Sequence, residues 1–554
     1  MIFDRINHYF KLHAMKKTLY FATLFVVLIQ FSAGAQSRYL PYSHDLYQKL
    51  SGTLYQPSLR LHTAIRPMLI TDSTLNVAID SLLDSRGPGS DRSWLHRKIF
   101  NEHLVAVDHA DYNFYLDYLP DHGIGRDLST GENVWINTRG FQAGVNIGTK
   151  FSFYTSLYEN QARLPSYLNT YVNQLGVVPG QAYDHSNGAE VKDWSYVTAL
   201  ISYTPTKYLN VSLGQDKTFI GDGYRSLLLS DFSAPYPFLK LTADLGRINY
   251  MTMWSYMDDP TATKFDLYGN QRRKWGLFQY LDWNVSNRVS LGFFQSVIWA
   301  DADDLGHKRG FDFKYINPII FLRNVQAASG SPDNSLIGFN AKYKVWPSLT
   351  VYGQLALDEF QAKDFFSSNG SSRNKYGYQL GIRGTNLLKV DRLNYLLEYN
   401  GAKPYTYSQL AAINNYAQQN EPLAHPFGAN FREILGILNY TAGYFDLSTK
   451  LSFSRYGLDI NGNNFGKDLF KTYDTAPKYY EGNYTGQGLT TKMYHLEGKI
   501  AYLLNPKYNL RIELGGIYRK ETNNQFTKTN TIVNIGLRSS FRNLYNDISS
   551  YKTP

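Results

Sequence analysis

The chain has 554 residues, a formal net charge of +10 and an aromatic content of 16%, with 46 Tyr and 32 Phe. It contains no Cys, which excludes a disulfide framework, a Cys-based metal site and a lipid anchor carried on a Cys. The basic excess is spread without a Lys/Arg block, so nucleic-acid binding is not expected.

At the amino end, Met15-Lys16-Lys17 precedes an apolar run from Leu19 to Phe31 and then Ala33-Gly34-Ala35. A basic start, an apolar stretch of this length and a small-x-small site read as a secretory signal peptide over residues 1–35. The run is too short for a spanning helix. Either Met1 or Met15 is the start, and the mature chain is expected to begin near Gln36. The signal segment holds Arg5, Lys11, Lys16 and Lys17 against Asp4, leaving +7 for the rest.

Residues 36–108 read as a small, partly helical domain. Leu46–Leu50, Leu82–Leu83 and Trp94–Leu104 have helical spacing, with Leu95/Ile99 and Phe100/Leu104 four apart. Gly87-Pro88-Gly89 breaks the segment.

From residue 109 to 554 the period becomes two. Leu239, Leu241, Ala243 and Leu245 alternate with Lys240, Thr242 and Asp244. Tyr494, Leu496, Ile500 and Tyr502 alternate with His495, Glu497 and Lys499, and Ile512 and Leu514 with Arg511 and Glu513. Over 531–541, Val533, Ile535 and Leu537 oppose Asn534 and Arg538. An apolar outer face over a charged inner face suits a membrane barrel with a wet interior, and the aromatic load suits its two interfacial girdles.

Short turns fall near Gly148, Thr204-Pro205-Thr206, Gly246-Arg247, Ser286-Asn287, Pro347-Ser348, Asn386–Asp391, Ala442-Gly443 and Asn505-Pro506. These eight hairpins, with one strand before (about 111–120) and one after (about 530–541), total about 18. The fold expected is an all-β transmembrane antiparallel barrel of about 18 strands with a small, partly helical N-terminal periplasmic domain. An even count places both chain ends and the short turns in the periplasm. Long connections at 159–193, 216–237, 255–273, 300–335, 400–432 and 455–490 then lie outside and are expected to carry function.

Three of these connections are unusual. Gly214–Asp231 enters a Gly-rich bend holding Asp222, Arg225 and Asp231. No third Gly and no helix follow Gly221-Asp222-Gly223, so a phosphate cradle is unsupported. The bland reading is a loop folded into the barrel and pinned by an Arg–carboxylate pair. The functional reading is ligand contact by Tyr224 or Arg225. Asn317–Arg323 with Gly330–Asn334 has an apolar core suited to the barrel wall. There Asn317 and Asp333 are expected to structure the loop, and Arg323 to order it or face the lumen. Glu398–Glu433 brings Tyr405, Tyr407, His425, Asn430 and Arg432 together. Rings stack on a pyranose and planar polar groups take its hydroxyls, though such residues also build loop cores.

The chain has no Gly-x-Ser-x-Gly, His-Glu-x-x-His or Cys nucleophile. Its 12 His lack metal-like spacing. Asp258-Asp259 and Asp303-Asp304 read as solvated loop charge. Neither an enzyme, a cofactor nor a metal site is expected.

The runs Gly221–Asp231, Asn317-Pro318-Ile319 with Gly330–Asn334, and Pro422–Pro426 with Gly428–Phe431 resemble the capsule-assembly Wzi family of outer-membrane proteins. Arg97–Leu104, Asn137–Gly140 and Phe151–Tyr154 resemble its Bacteroidetes branch, which includes the gliding-motility protein RemB. The likeness runs from about residue 45 to the C-terminus. It implies an 18-stranded barrel with a helical periplasmic domain, and a lectin-like role holding surface polysaccharide. The RemB branch implies a contribution to gliding. The partners implied are surface polysaccharide or lipopolysaccharide, outer-membrane lipid and motility or export proteins. A passive porin and a protein-binding motility or secretion component are the alternatives.

Overall fold

The computed structural model describes residues 38–553 except 71, 263, 265–270, 322–332, 360–368, 478–479, 540 and 543. The expected signal peptide and Arg323 lie outside the described residues.

Eighteen antiparallel strands close into one barrel. They are β1 (Tyr112–Asp127), β2 (Asn133–Ile147), β3 (Phe151–Arg163), β4 (Val191–Thr206), β5 (Leu209–Asp216) and β6 (Tyr236–Asp244). Then come β7 (Ile248–Asp259), β8 (Arg272–Asn284), β9 (Val289–Ala300), β10 (Asn334–Trp346), β11 (Leu349–Glu359) and β12 (Lys375–Gly384). The last six are β13 (Leu393–Ala402), β14 (Phe431–Ala442), β15 (Phe445–Leu458), β16 (Leu489–Asn505), β17 (Leu510–Thr522) and β18 (Thr527–Arg538). Each pairs with its successor, and β18 returns to β1 from Ile532↔Asp127 to Leu537↔His122. The remaining edge of β1 pairs with a short strand, Val105–Asp108.

The strands are amphipathic in the inverse sense. On β15–β18, Leu447, Leu451, Leu496, Ile500, Leu514 and Ile535 are exposed, while Glu497, Glu513, Arg519 and Asn530 are buried. This suits a wall whose outside meets lipid and whose main-chain groups pair only across strands. Among the described residues no helix is long and apolar enough to cross a membrane.

All eight expected short turns lie at one end of the barrel. Gly148, Gly246 and Gly443 supply φ of 54°, 79° and 58° there. The other end carries the long connections, with 360–374 an addition to the six expected.

The N-terminal helices are α1 (His44–Lys49), α2 (Ser51–Leu54), α3 (Ser73–Leu83) and α4 (Trp94–Phe100). Ser43, Asp72 and Ser93 cap α1, α3 and α4 by accepting from Leu46, Leu75 and His96 main-chain N–H groups. Leu46, Tyr47, Leu54, Leu75 and Ile79 pack with Phe219 from the β5–β6 connection. Ile65–Arg66 pairs with Phe219–Ile220, so this segment reaches into the lumen.

The C-terminal segment departs from expectation. The final strand ends at Arg538 rather than 541, and the chain then turns back inside the barrel. Arg542 reaches Asp216 at 2.5 Å, and the Tyr545 hydroxyl donates to Asp231 at 2.7 Å. The Tyr551 hydroxyl donates to Asp468, in the β15–β16 connection, at 2.8 Å. The described residues between Ser539 and Tyr551 therefore run up the lumen instead of staying at the short-turn end. Arg542, Tyr545, Asn546, Asp547 and Tyr551 each find a partner along the way, which a burial of this kind requires.

Candidate functional site

The Gly221–Asp231 bend lies at the centre of the lumen, and Arg225 is its hub. The guanidinium donates to Glu433 from Nε at 3.2 Å and from Nη2 at 3.1 Å, and Nη2 reaches Asp547 Oδ2 at 3.0 Å. The expected Arg–carboxylate pair exists, with both acids far away in sequence. Main-chain N–H groups of Tyr224 and Arg225 donate to Glu398 at 2.6 and 3.3 Å. Gly223 allows this approach, since a Cβ there would lie 2.2 Å from Glu398 Oε1. Burial raises the cost of the Asp547 charge, but Arg225 and Lys450 outweigh it and hold the carboxyl well below the usual carboxylate range.

Asp222 joins the bend to the N-terminal segment. It accepts from the Tyr55 hydroxyl at 3.0 Å and from Thr63, and lies 3.4 Å from Lys342. Asp231 holds the C-terminal segment through Tyr545. Tyr224 is half-buried, lines an interior cavity of 120 Å³ and meets Asp547 at 3.3 Å.

In the 403–430 connection the expected residues are closed to solvent. Tyr405 and Tyr407 are each 1% exposed, and their hydroxyls donate to Asn464 O at 3.0 Å and Leu227 O at 2.8 Å. His425 meets Glu433 at 2.8 Å, and burial pushes its imidazole down to about 4 against the pull of that carboxylate. Asn430 is fully buried and bonds three main-chain carbonyls. Arg432 stands apart, exposed on the outer face of β14. Thus Arg225, His425 and Glu433 come together, whereas Arg432 does not join them.

The connection after β9 lies against the outside of β7–β9. Trp254 Nε1 donates to Tyr315 O at 2.8 Å, Trp299 stacks on Tyr315 at 4.4 Å, and Gln279 donates to Asn317 O at 3.2 Å. Asn317 accepts from Ile319 N at 3.0 Å, and Asp333 accepts from Arg309 Nη2 at 2.9 Å and from Tyr315. The acidic pairs are engaged too, Asp304 by Arg272 at 2.9 Å and Asp258 by Arg273.

What space remains in the lumen includes cavities of 140 and 120 Å³ beside the C-terminal segment, sharing Glu497 and Asn546 in their walls. Sequence reasoning missed two features. One is the C-terminal segment, whose partners Asp216, Asp231 and Arg225 are more than 300 residues away. The other is an exposed aromatic shelf at residues 480–487, inside a long connection whose Tyr residues could have been weighed with those of the 400–432 stretch.

A closed eighteen-strand antiparallel barrel, apolar outside and filled inside, has the architecture of an outer-membrane β-barrel. No protein-family profile and no curated protein matches the chain. Among solved structures it is similar to Wzi of Escherichia coli, an outer-membrane protein involved in group 1 capsule assembly and a carbohydrate-binding β-barrel. The TM-score is 0.51 at 14% identity, covering 91% of this chain and 99% of that one. OprD of Pseudomonas aeruginosa (TM-score 0.41, 8% identity, 76% of this chain and 94% of that one) and OccAB2 of Acinetobacter baumannii (0.40, 10%, 76% and 97%) score lower. At these identities the likeness is one of fold.

Proposed function

We propose that this chain is an exported outer-membrane barrel that binds or anchors surface polysaccharide at its long-loop end. The short turns then face the periplasm and the long loops the cell exterior, the usual arrangement of such barrels. The observation that carries the reading is the filled lumen. Barrels of 16–18 strands otherwise leave an aqueous channel. Here the N-terminal segment, the Gly221–Asp231 bend and the C-terminal segment occupy that space and pair with one another. The loop surface is left as the working face. Carbohydrate binding by the similarly folded Wzi agrees with this reading.

Within it, Tyr224, Arg225, Tyr405, Tyr407, His425 and Asn430 serve binding by holding the loops in place. The test pairs two measurements on the purified full chain. In planar bilayers it is expected to show no large steady current, and a porin-sized conductance would overturn the reading. In pull-down from outer membranes it is expected to retain polysaccharide. Recovery of a stoichiometric protein partner without polysaccharide would turn the reading toward a motility or export component.

A further inference from the structure

We infer that the shelf formed by residues 369–373 and 480–487 is the sugar-contacting subsite, and that it takes pyranose units bearing a carboxylate. This rests on the polysaccharide reading above and adds a place and a chemistry to it. The two segments lie side by side at the long-loop end. Gly482 N donates to Asn369 O at 2.8 Å, Asn483 N to Gly370 O at 2.8 Å, and Ser372 N to Tyr480 O at 3.2 Å. Gly370 makes this approach feasible: its φ is +71°, and a Cβ there would sit 2.6 Å from Asn483 N.

Two large rings stand on this shelf, Tyr480 at 57% and Tyr484 at 58% exposure. The exposed Arg373 guanidinium lies 5.2 Å from the Tyr480 ring centroid. Asn369 Nδ2 donates to Glu481 Oε1 at 3.0 Å, so an amide and an acid flank the rings. A Tyr face offers a stacking surface for the C–H face of a pyranose, with few rotors to freeze on binding. A planar guanidinium beside it is the donor group suited to a sugar carboxylate.

The shelf is rigid from below, and the buried residues singled out in the sequence make it so. Asn430 Oδ1 accepts from Gly486 N at 2.6 Å, and its Nδ2 donates to Gln487 O at 3.1 Å. Gln487 Nε2 donates to the Tyr405 hydroxyl at 3.3 Å, while its Oε1 accepts from Tyr484 N at 3.2 Å. Asn430 and Tyr405 therefore act as positioning residues for Tyr484. A rigid aromatic platform loses less entropy on binding than a mobile loop would.

The test uses the full-length protein in detergent and surface polysaccharide extracted from the producing cells, native or carboxyl-reduced. Y480A/Y484A is expected to weaken binding of both forms by at least about tenfold, as loss of two stacking rings implies. R373Q is expected to weaken binding of the native form severalfold and leave the carboxyl-reduced form unchanged. Y480W/Y484W keeps the rings and is expected to retain binding, and if the alanine pair fails to insert, the single variants decide on the same scale. Wild-type binding that survives Y480A/Y484A would overturn the shelf while leaving the polysaccharide reading standing. Equal loss of both forms in R373Q would overturn the acidic class. A wild-type protein that binds neither form would overturn both the shelf and the function.

Discussion

The wall of this barrel and the material inside it are held by different forces. β15 and β16 are joined by an unbroken main-chain register from Phe445↔Tyr502 to Leu458↔Leu489, and side chains only decorate that ladder. Inside, the order reverses. The Gly221–Asp231 bend, the C-terminal segment and the inner face of the wall meet largely through side chains: Arg225 on Glu433 of β14 and on Asp547, Tyr545 on Asp231, Lys450 of β15 on Asp547 at 3.1 Å. A ladder tolerates loss of one side chain, because its bonds are main-chain and distributed. A buried ionic hub does not, because removing one member leaves buried charges of the others undercompensated. The difference separates insertion of the wall from ordering of the interior, so substitutions can address one without the other.

The largest effect is expected from Arg225→Met. It removes the cation that Glu433 and Asp547 share, leaving Glu433 with His425 and Asp547 with Lys450, a loss of about 3–4 kcal/mol to the packing of the interior. The folded wall should persist, seen as unchanged β-sheet circular dichroism and an unchanged mobility shift on heating. The C-terminal segment and the 403–430 connection should become open to protease. Collapse of wall and interior in one transition would break the separation. Next comes a change confined to the wall. Leu451 lies midway along β15, 52% exposed on the outer face. Leu451→Arg should cost about 2–4 kcal/mol in urea unfolding from bilayers, the usual charge for a cation at mid-membrane. Protease resistance of the interior should be unchanged.

The two regions also differ in what the sequence discloses. The wall is legible because period-two alternation is local: Leu496 out and Glu497 in follow from neighbours. Its turns are legible because Gly148, Gly246 and Gly443 mark left-handed corners. Strand number follows from those turns. The interior is legible only in outline. That Arg225 would pin the bend to a carboxylate follows from its surroundings. That the partners are Glu433 and Asp547 does not, since 208 and 322 residues separate them. By residue type Tyr405, Tyr407 and Asn430 suit sugar contact, and the same types build a buried scaffold. Burial distinguishes the two roles, and burial here is set by how distant connections pack. The exposed Tyr480 and Tyr484 carry no signal in their own neighbourhood that separates them from buried tyrosines.

A pH change acts on the interior through His425. Its imidazole takes a proton near 6.5 when the connection is unfolded but resists one until about 4 when folded. Between those values the unfolded form binds more protons at this ring, so the ring's contribution to the stability of the packed connection is full above about 6.5 and falls as pH drops toward 4. The loss is up to about 3 kcal/mol. Cleavage of residues 403–430 should quicken from pH 7 to pH 4.5 in the wild type. That quickening should be absent in His425→Gln. A flat wild-type profile would mean that the connection is held without regard to the charge of this ring.

The smallest effect sharpens the comparison most, because it removes one atom. The Tyr407 hydroxyl donates to Leu227 O at 2.8 Å, and its ring packs on Tyr416 at 5.6 Å. Tyr407→Phe keeps the ring and leaves the Leu227 carbonyl without that donor, at a cost of about 1 kcal/mol. Hydrogen exchange in 217–235 should accelerate roughly fivefold, because that bond ties the bend to the neighbouring connection. Amides of β12 and β13 should exchange as before, since their ladder from Gly377↔Ala402 to Gly384↔Tyr395 does not involve the hydroxyl. Faster exchange in both places would show that wall and interior open as one unit.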